Sequence, residues 1–365
     1  AVAVGLAPEM LPMIVTVNSQ HLAAELRLLA KIVPNKPAIA ILSHALLTAD
    51  DGLHFFATDL EIGFSCACEA SVIQPGKIAL PVARFLSLVE QFPNDDVQIA
   101  VDGTKVNVTC GAFRSKLQAM PVDDFPQPLP VDGTANTLDG DAFRRLITRT
   151  RYAINATSQK YVLQGALLTL AGPAAAMVAT DGKRLALATA SRAGSDVSLV
   201  IPAKALDVLA GADDDVEVTV GSKQLLFAYG GRMLTSRMLE GKFPAYERII
   251  PRDNDKIVTV GRVELMAALK RIVLVSEDNR ATYILIEPGK LTLAARSAEV
   301  GQADEAVRAE YDGASLKVCV NGSYVLDFLE AASGSAVTLQ LKDANTAMLM
   351  LDGDDHVGIV MLMKG

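Results

Sequence analysis

The sequence contains no tryptophan, and only 5% of its 365 residues are aromatic. Its cores must therefore be built from Leu, Val, Ile, Ala and Met, and it offers no cluster of rings on which bare bases could stack. Cysteine is scarce. Cys66, Cys68, Cys110 and Cys319 do not make a disulfide framework in a chain this long, so a reduced, cytoplasmic setting is expected. Cys66-Ala-Cys68 lacks the second pair that a zinc site needs. His21, His44, His54 and His356 have no partners at metal-ligand spacing and read as surface or packed residues. A G-x-x-x-x-G-K-[ST] phosphate loop, a G-x-S-x-G elbow, an EF-hand and a helix-turn-helix are all missing. The acidic runs Asp213–Asp215 and Asp352–Asp355 read as hairpin turns rather than calcium loops. With no nucleophile and base in view, the expectation is a binding or structural protein with no catalytic residue, cofactor or metal.

Long hydrophobic runs are also missing. The longest uncharged stretch, Tyr161 to Thr180, is broken by Gln164, Gly165 and Gly172-Pro173, which makes it a strand–turn–strand rather than a membrane span. Residues Ala1–Pro12 lack the basic start of a signal peptide and read as an N-terminal extension, natural or left by cloning. Half the residues are apolar and 21% charged, the balance of a globular chain long enough for two or three cores.

What is present is a repeat with a period of about 120 residues, the mark of tandem copies of one domain. Ala45–Asp59 and Ala166–Asp181 share a strand–turn–strand ending in Ala-Thr-Asp, with a weaker third copy at Tyr283–Ala295. An apolar strand entering a short helix appears as Ile78–Val89, Leu199–Leu209 and Val318–Leu329. Met120–Pro126 and Met238–Pro244 close the first two copies. Pro81 and Pro202 are 121 residues apart, and Phe125 and Phe243 are 118 apart.

Each copy opens with an amphipathic helix, expected at Gln20–Val33, Asp141–Ile154 and Val263–Val275. Leu22, Leu26, Leu29 and Val33 share one face of the first, with Arg27 and Lys31 opposite. Phe143, Leu146, Ile147 and Ile154 face inward in the second, with Arg145 and Arg149 opposite and Arg144 and Arg151 on the flanks. Leu265, Leu269, Ile272 and Val273 face inward in the third, with Arg271 opposite and Lys270 nearby. Counting from Arg262 in the third, the helices hold nine basic and three acidic residues, a net of +6 that leaves −14 for the rest of a chain of net charge −8. Helices related by rotation about a common axis would place one positive surface inside an acidic shell. Such a surface suits a phosphate backbone and reads no bases.

These residues resemble the bacterial sliding clamp family, the DNA polymerase III beta subunits, over nearly everything from Met13 to Gly365. Ala179-Thr-Asp-Gly-Lys-Arg-Leu-Ala186 is similar to the family's T-D-G-H-R-L-A segment, with Lys183 for His. Leu239-Glu-Gly-Lys-Phe-Pro-Ala-Tyr-Glu-Arg-Ile-Ile-Pro251 matches E-G-x-F-P-x-Y-x-x-V-I-P, and Asn321–Asp327 and Val360–Gly365 match further segments. The resemblance implies an α+β fold of three clamp domains, at 13–130, 137–254 and 256–365, each with two outer antiparallel sheets and two inner helices. Two chains would close head to tail into a six-domain ring around duplex DNA, bound without sequence preference. The ring would confer processivity on the DNA polymerase III catalytic subunit, would be opened by a separate clamp loader, and would dock other polymerases and repair proteins.

By the same resemblance a peptide pocket between the second and third domains would comprise Lys160, Leu163, Thr180, Gly182, Lys183, Arg184, Leu185, Pro244, Arg248, Ile249, Asn321, Tyr324, Met361, Leu362 and Met363. The apolar members would line the groove, with Met adapting to different side chains, while Arg and Asn fix the peptide backbone. Ordinary core packing is the competing reading for each apolar member. The ring seam would use Leu117 in the first domain and Leu274 and Val275 in the third; Ser115 stands where larger apolar residues occur in the family. Charge and helix face assign Arg27, Lys31, Lys36, Arg145, Arg149 and Arg271 to DNA. The family's terminal M-P-M-R-L reads Met-Leu-Met-Lys-Gly here, so Leu362 loses proline's rigidity and Gly365 an apolar side chain.

Three alternatives stand beside this reading. One is a second, drug-insensitive clamp copy, which the altered C-terminus leaves open. Another is an enzyme with a shallow site between the second and third copies, which would lose turnover on changing Arg184 or Arg248 without any change in DNA retention. The last is a non-DNA scaffold, indifferent to charge reversal at Arg27, Lys31 and Arg149.

Overall fold

The computed structural model describes residues 13–128, 130–191, 196–277 and 279–364; the expectations for Ala1–Pro12 and for Gly365 lie outside them. The first copy runs β1 (Met13–Asn18), α1 (Ser19–Ile32), β2 (His44–Ala49), β3 (Leu53–Thr58), β4 (Ile62–Cys68), β5 (Ala70–Gln74), β6 (Gly76–Pro81), α2 (Val82–Val89), β7 (Asp96–Asp102), β8 (Lys105–Cys110) and β9 (Phe113–Gln118). The second runs β10 (Thr134–Leu138), α3 (Gly140–Thr150), β11 (Gly165–Ala171), β12 (Ala174–Thr180), β13 (Arg184–Ser191), β14 (Val197–Pro202), α4 (Ala203–Leu209), β15 (Val216–Val220), β16 (Gln224–Tyr229) and β17 (Arg232–Arg237). The third runs β18 (Lys256–Gly261), α5 (Arg262–Val273), β19 (Ala281–Glu287), β20 (Lys290–Ser297), β21 (Gly301–Glu310), β22 (Leu316–Asn321), α6 (Gly322–Ala331), β23 (Ala336–Leu341), β24 (Met348–Leu351) and β25 (His356–Val360). The same plan, strand–helix, a strand group, strand–helix, three strands, thus appears three times, and the fold is α+β as expected.

The chain divides into two compact units, residues up to Thr137 with Gly211–Arg237, and Leu138–Ala210 with the residues from Met238 on. The division cuts the middle copy because sheet hydrogen bonds run on from one copy to the next. In the first unit β17 of the second copy pairs with β4 of the first, as in Leu234↔Phe64. That unit holds a five-stranded sheet, β5-β1-β7-β8-β9, and an eight-stranded one, β10-β15-β16-β17-β4-β3-β2-β6. In the second unit β13 pairs with β25, as in Leu185↔Ile359, within a twelve-stranded sheet, β14-β11-β12-β13-β25-β24-β23-β18-β21-β20-β19-β22.

Local sequence explains the elements. Alternation buries Met13, Val15 and Val17 of β1 and Val106, Val108 and Cys110 of β8. The Asn18 side chain caps α1 by accepting from the amides of Gln20 and His21, Asp139 accepts from Ala142 in α3, and Asn321 accepts from Ser323 in α6. Helix α1 stops at Ile32 because Pro34 drives Val33 into extended backbone. Ile32 is therefore buried, and Val33, expected on that face, is only half-buried. Helix α3 ends at Thr150 and continues as a 3-10 turn, Arg151–Ala153, short of the expected Ile154. Asp352–Asp355 form the β24–β25 turn as expected, but Asp213–Asp215 link helix α4 to β15 and are not a hairpin.

In the second unit Val325, Phe328 and Leu329 of α6 bury into a cluster with Leu265, Leu269 and Ile272 of α5 and the strands beneath. Phe328 lies directly on β25 at Gly358. A Cβ there would stand 2.5 Å from Phe328 Cδ2 and 3.0 Å from Met350 Cε. That close approach fixes β25, and the tail beyond it, against α6. No helix among the described residues is long and apolar enough to cross a membrane.

Candidate functional site

The basic helix faces are more neutralised than their sequence suggests. Arg27 of α1 is exposed and donates to Glu90 at 2.8 Å; Arg271 of α5 is exposed and donates to Glu305 at 2.8 Å. Lys31, Lys36 and Arg145 are exposed. Arg149 is not on the open face. It is buried, 2.7 Å from Asp355 and 3.7 Å from Asp352, and donates to Ser333 Oγ at 3.0 Å. Its assignment to DNA is corrected on that ground. A long cation one turn from Arg145 reached a carboxylate-rich turn across the sheet, which helical phase does not reveal. Arg144 pairs with Asp141, Arg151 with Asp207 at 2.7 Å, and Lys270 with Glu330 at 2.8 Å. Arg262 donates to the carbonyls of Gly334 at 2.8 Å and Leu329 at 3.0 Å.

The second candidate site lies where β13 meets β25. Thr180 Oγ1 donates to the Arg184 carbonyl at 2.6 Å and accepts from the Gly182 amide at 3.1 Å, forming a tight turn with Gly182 at φ +87°. That left-handed backbone suits glycine. The Met361 amide donates to the Lys183 carbonyl at 2.9 Å, and the Met363 amide to the Cys319 carbonyl at 2.8 Å, so the tail is stitched to β13's turn and to β22. Leu163 and Leu185 are buried among Val178, Leu239, Phe243, Ala347 and Ile359, which is core packing. Beside this cluster lies a cavity of about 720 Å³ lined by Glu247 to Asp253, Thr346, Ala347 and Met361. Arg248, Ile249 and Met361 of the expected set line it; Ile249 and Met361 are exposed apolar side chains. Pro244 is half-buried, and Lys160 and Lys183 are exposed.

Other members of the expected set have different tasks. Arg184 donates to Asp181 Oδ2 at 3.1 Å, to Asp327, and to the Tyr152 carbonyl at 2.5 Å. Its guanidinium carbon lies 4.3 Å from the ring centre of Tyr324 and 5.5 Å from that of Tyr152. Asn321 caps α6 and donates to the Asn279 carbonyl at 3.3 Å. Both were expected to grip a peptide backbone; their polar groups are instead engaged in joining β13 and β22 to α6. Tyr324 and Leu362 pack half-buried on the core beneath α6, and Met363 is also half-buried. Sequence reading missed Arg252, Asp253, Thr346 and Ala347. The first two follow the quoted motif directly, while the last two reach the cavity only through the β23–β24 connection.

The first unit contains the same turn. Thr58 Oγ1 donates to Ile62 O at 2.8 Å and accepts from the Leu60 amide at 2.9 Å, and the Arg237 amide donates to Glu61 O at 3.1 Å. There Leu60 occupies the left-handed position, at φ +78°, and the Phe56 ring meets Phe125 edge-on at 6.1 Å between centres. The corresponding residue in the second unit is the smaller Val178. The repeat thus supplies one joint twice, with a pair of rings, Phe56 and Phe125, in the first and the single ring of Phe243 against Val178 in the second.

Two buried ionic groups complete the picture. Glu25 of α1 meets Arg232 of β17 in a bidentate pair inside the first unit. Burial and this carboxylate hold the Cys66 thiol well above its usual range and push Cys68 up to about 12, so both remain thiols. In the second unit His356 is fully buried. Its Nε2 lies 3.1 Å from the Arg149 carbonyl, its ring stacks on Phe328 at 4.5 Å, and Nδ1 has no hydrogen-bond partner. Asp50, Asp51 and His54 do meet, in the exposed β2–β3 turn, with His54 Nε2 at 3.1 and 2.8 Å from the two carboxylates, an arrangement their spacing had not suggested.

Comparison with known proteins follows this geometry. Family models match residues 13–130, 137–245 and 247–364 as the N-terminal, central and C-terminal domains of the DNA polymerase III beta subunit. The beta sliding clamp of Pseudomonas aeruginosa is 31% identical over 363 residues, covering 96% of this chain and 99% of that protein. That of Caulobacter vibrioides is 31% identical over 358 residues, covering 93% and 96%. A crystal structure of the P. aeruginosa sliding clamp bound to griselimycin superposes with a TM-score of 0.87 at 30% identity, covering 97% of this chain and all of that one. The chain belongs to the DNA polymerase III beta subunit family, the DNA sliding clamps.

Proposed function

We propose that the chain acts as a cytoplasmic head-to-tail homodimer of six domains, bounded in each protomer near 13–130, 137–254 and 256–365, which encircles duplex DNA. It tethers the DNA polymerase III catalytic subunit and other replication and repair proteins, is opened by a clamp loader, and performs no chemistry itself. The observation that carries this reading is a pair of open sheet edges. Strand β9 is the last strand of its sheet and exposes Arg114 and Lys116. Strand β21 pairs with β18 only through Ala309 and Glu310, which leaves one edge of Gly301–Arg308 open, with Asp304 and Arg308 exposed and Glu305 paired with Arg271. Leu117 and the exposed Phe113 accompany the first edge; Leu274, 75% exposed, and Val275 lie at the end of α5, which packs on β21. Strand addition between protomers would satisfy both edges.

In this reading Arg27, Lys31, Lys36, Arg145 and Arg271 meet phosphates. The ion pairs of Arg27 and Arg271 make their contacts weak and mobile, as suits a ring held by topology. The cavity at Arg248, Ile249 and Met361 receives an apolar side chain of a partner's linear peptide. Class averages of purified single particles test the assembly. A six-lobed ring with a hole wide enough for duplex DNA is expected; a compact particle without a hole would end this reading.

A further inference from the structure

The outward face of the third copy's β19–β22 sheet holds a trough with one rim on β21, beside the proposed seam. Register places its residues. Tyr283 faces Cys319 on one side and Ala294 on the other, Ala294 faces Asp304, and Leu285 faces Lys317 and Thr292. Small side chains, Ala294 and Thr292, therefore form a low floor beside Tyr283 and Leu285, and a cavity of about 490 Å³ opens above them. Two exposed cations rim it at opposite corners of the tyrosine. Lys317 Nζ lies 4.8 Å from the ring centre and the Arg296 guanidinium 5.8 Å.

From this geometry we propose that the trough binds an acidic linear segment of a partner protein, with two carboxylates two residues apart on one face of an extended chain. Charge complementarity selects the class. The two distances to one ring cap the separation of the cations at about 11 Å. In an extended chain, residues two apart share a face and are spaced by about 7 Å, inside that limit. The apolar floor of Leu285 and Ala294 takes the methylene stems of the two acidic side chains. A nucleic-acid strand fits less well, because Asp304 lines the same trough and would repel a continuous run of phosphates, whereas discrete carboxylates can sit away from it. The ring faces of Tyr283 are also engaged by cations, which leaves no open platform for a base.

The test uses the full chain and a fluorescein-labelled peptide, Gly-Ser-Glu-Val-Glu-Leu-Ser-Gly, with its Gln-for-Glu analogue as control. Binding of the acidic peptide is expected to weaken with salt and to fall roughly tenfold in Arg296→Glu and in Lys317→Glu. The analogue is expected not to bind. Both residues are exposed, so the reversals should leave the urea midpoint unchanged. If they do not, Arg296→Gln and Lys317→Gln serve in their place. Carbodiimide coupling of the bound peptide to the unmodified chain should mark Lys317, located by mass spectrometry. Equal binding of the analogue, unaltered binding by the charge variants, or coupling elsewhere would overturn the proposal, as would displacement of the peptide by oligothymidylate at lower concentration than by unlabelled peptide. The titration is repeated on Leu274→Glu, expected to be monomeric: undiminished binding there separates the trough from ring closure, and loss of binding there would overturn the proposal as a property of the single chain.

Discussion

Arg27 on α1 donates a 2.8 Å hydrogen bond to Glu90 at the end of α2. The same rung recurs in each copy, between Arg151 after α3 and Asp207 of α4 at 2.7 Å, and between Lys270 of α5 and Glu330 of α6 at 2.8 Å. In every copy the first helix supplies the cation and the second helix region the acid. The positive helices are therefore partly neutralised in place, and a phosphate must compete with a carboxylate for each. Glu90→Gln, Asp207→Asn and Glu330→Gln together are expected to tighten DNA binding severalfold. Each phosphate newly contacted should steepen the dependence of log affinity on log salt by about 0.9. The pairs are largely exposed, so unfolding free energy should move by no more than about 1 kcal/mol per pair. Unchanged salt dependence would show that these helices do not meet DNA.

Reversing Arg27, Lys31 and Arg145 to Glu is expected to weaken DNA retention while the urea midpoint stays in place, since all three are exposed. Arg149→Glu should behave oppositely. It places a buried carboxylate against Asp352 and Asp355, and loss of a buried pair costs about 3–5 kcal/mol. A folded Arg149→Glu protein with a selective DNA defect would contradict the placement of that side chain.

His356 makes stability fall on acidification. Burial, and next the neighbouring Arg149 guanidinium, lower its pKa from 6.5 to about 4, although Asp352 pulls the other way. Between those values the unfolded chain binds the proton and the folded chain does not. The contribution is therefore complete above pH 6.5 and is lost as pH falls towards 4. The gap corresponds to about 3 kcal/mol. His356→Gln keeps an amide where Nε2 meets the Arg149 carbonyl but does not titrate. Urea midpoints at pH 7, 5.5 and 4.5 should fall less in this variant than in the unmodified chain; parallel curves would sink the assignment.

At the proposed seam, Leu274→Glu puts a charge on a side chain that is 75% exposed in the single chain. It should shift the dimer to monomer in sedimentation at micromolar concentration without changing monomer stability. Lys116→Glu should weaken dimerisation at low salt, and a partner change at Asp304→Lys should restore part of it. Dimers of undiminished strength in all three variants would place the seam elsewhere.

The fold was legible because its signals are periodic. The recurrence of Pro81 at Pro202 and of Phe125 at Phe243 marks tandem copies, and the apolar faces of α1, α3 and α5 follow from helical spacing. The division into compact units was not legible, since backbone pairing of β17 with β4 and of β13 with β25 leaves no local mark. At the candidate sites, residue type was readable and engagement was not. Arg145 and Arg149 both occupy the basic side of α3, yet one reaches solvent and the other a carboxylate turn more than two hundred residues away in sequence. Arg184 looked free in its motif because Tyr152, Tyr324 and Asp327, which hold it, come from distant segments. Gly182 was named only as a pocket member; its turn, and the likeness to the Leu60 turn, emerged from matching hydrogen bonds.

The most direct test of the clamp itself is retention on DNA of different topology. Labelled protein, assembled on nicked circular duplex by a clamp loader, is separated from free protein by gel filtration before and after a single restriction cut. Stable association with the circle, and release within minutes once the circle is opened, is the expected result, because a ring slides off a free end. Retention that is equal on circular and linear DNA would mean that contacts, not encirclement, hold the protein, and would contradict the account.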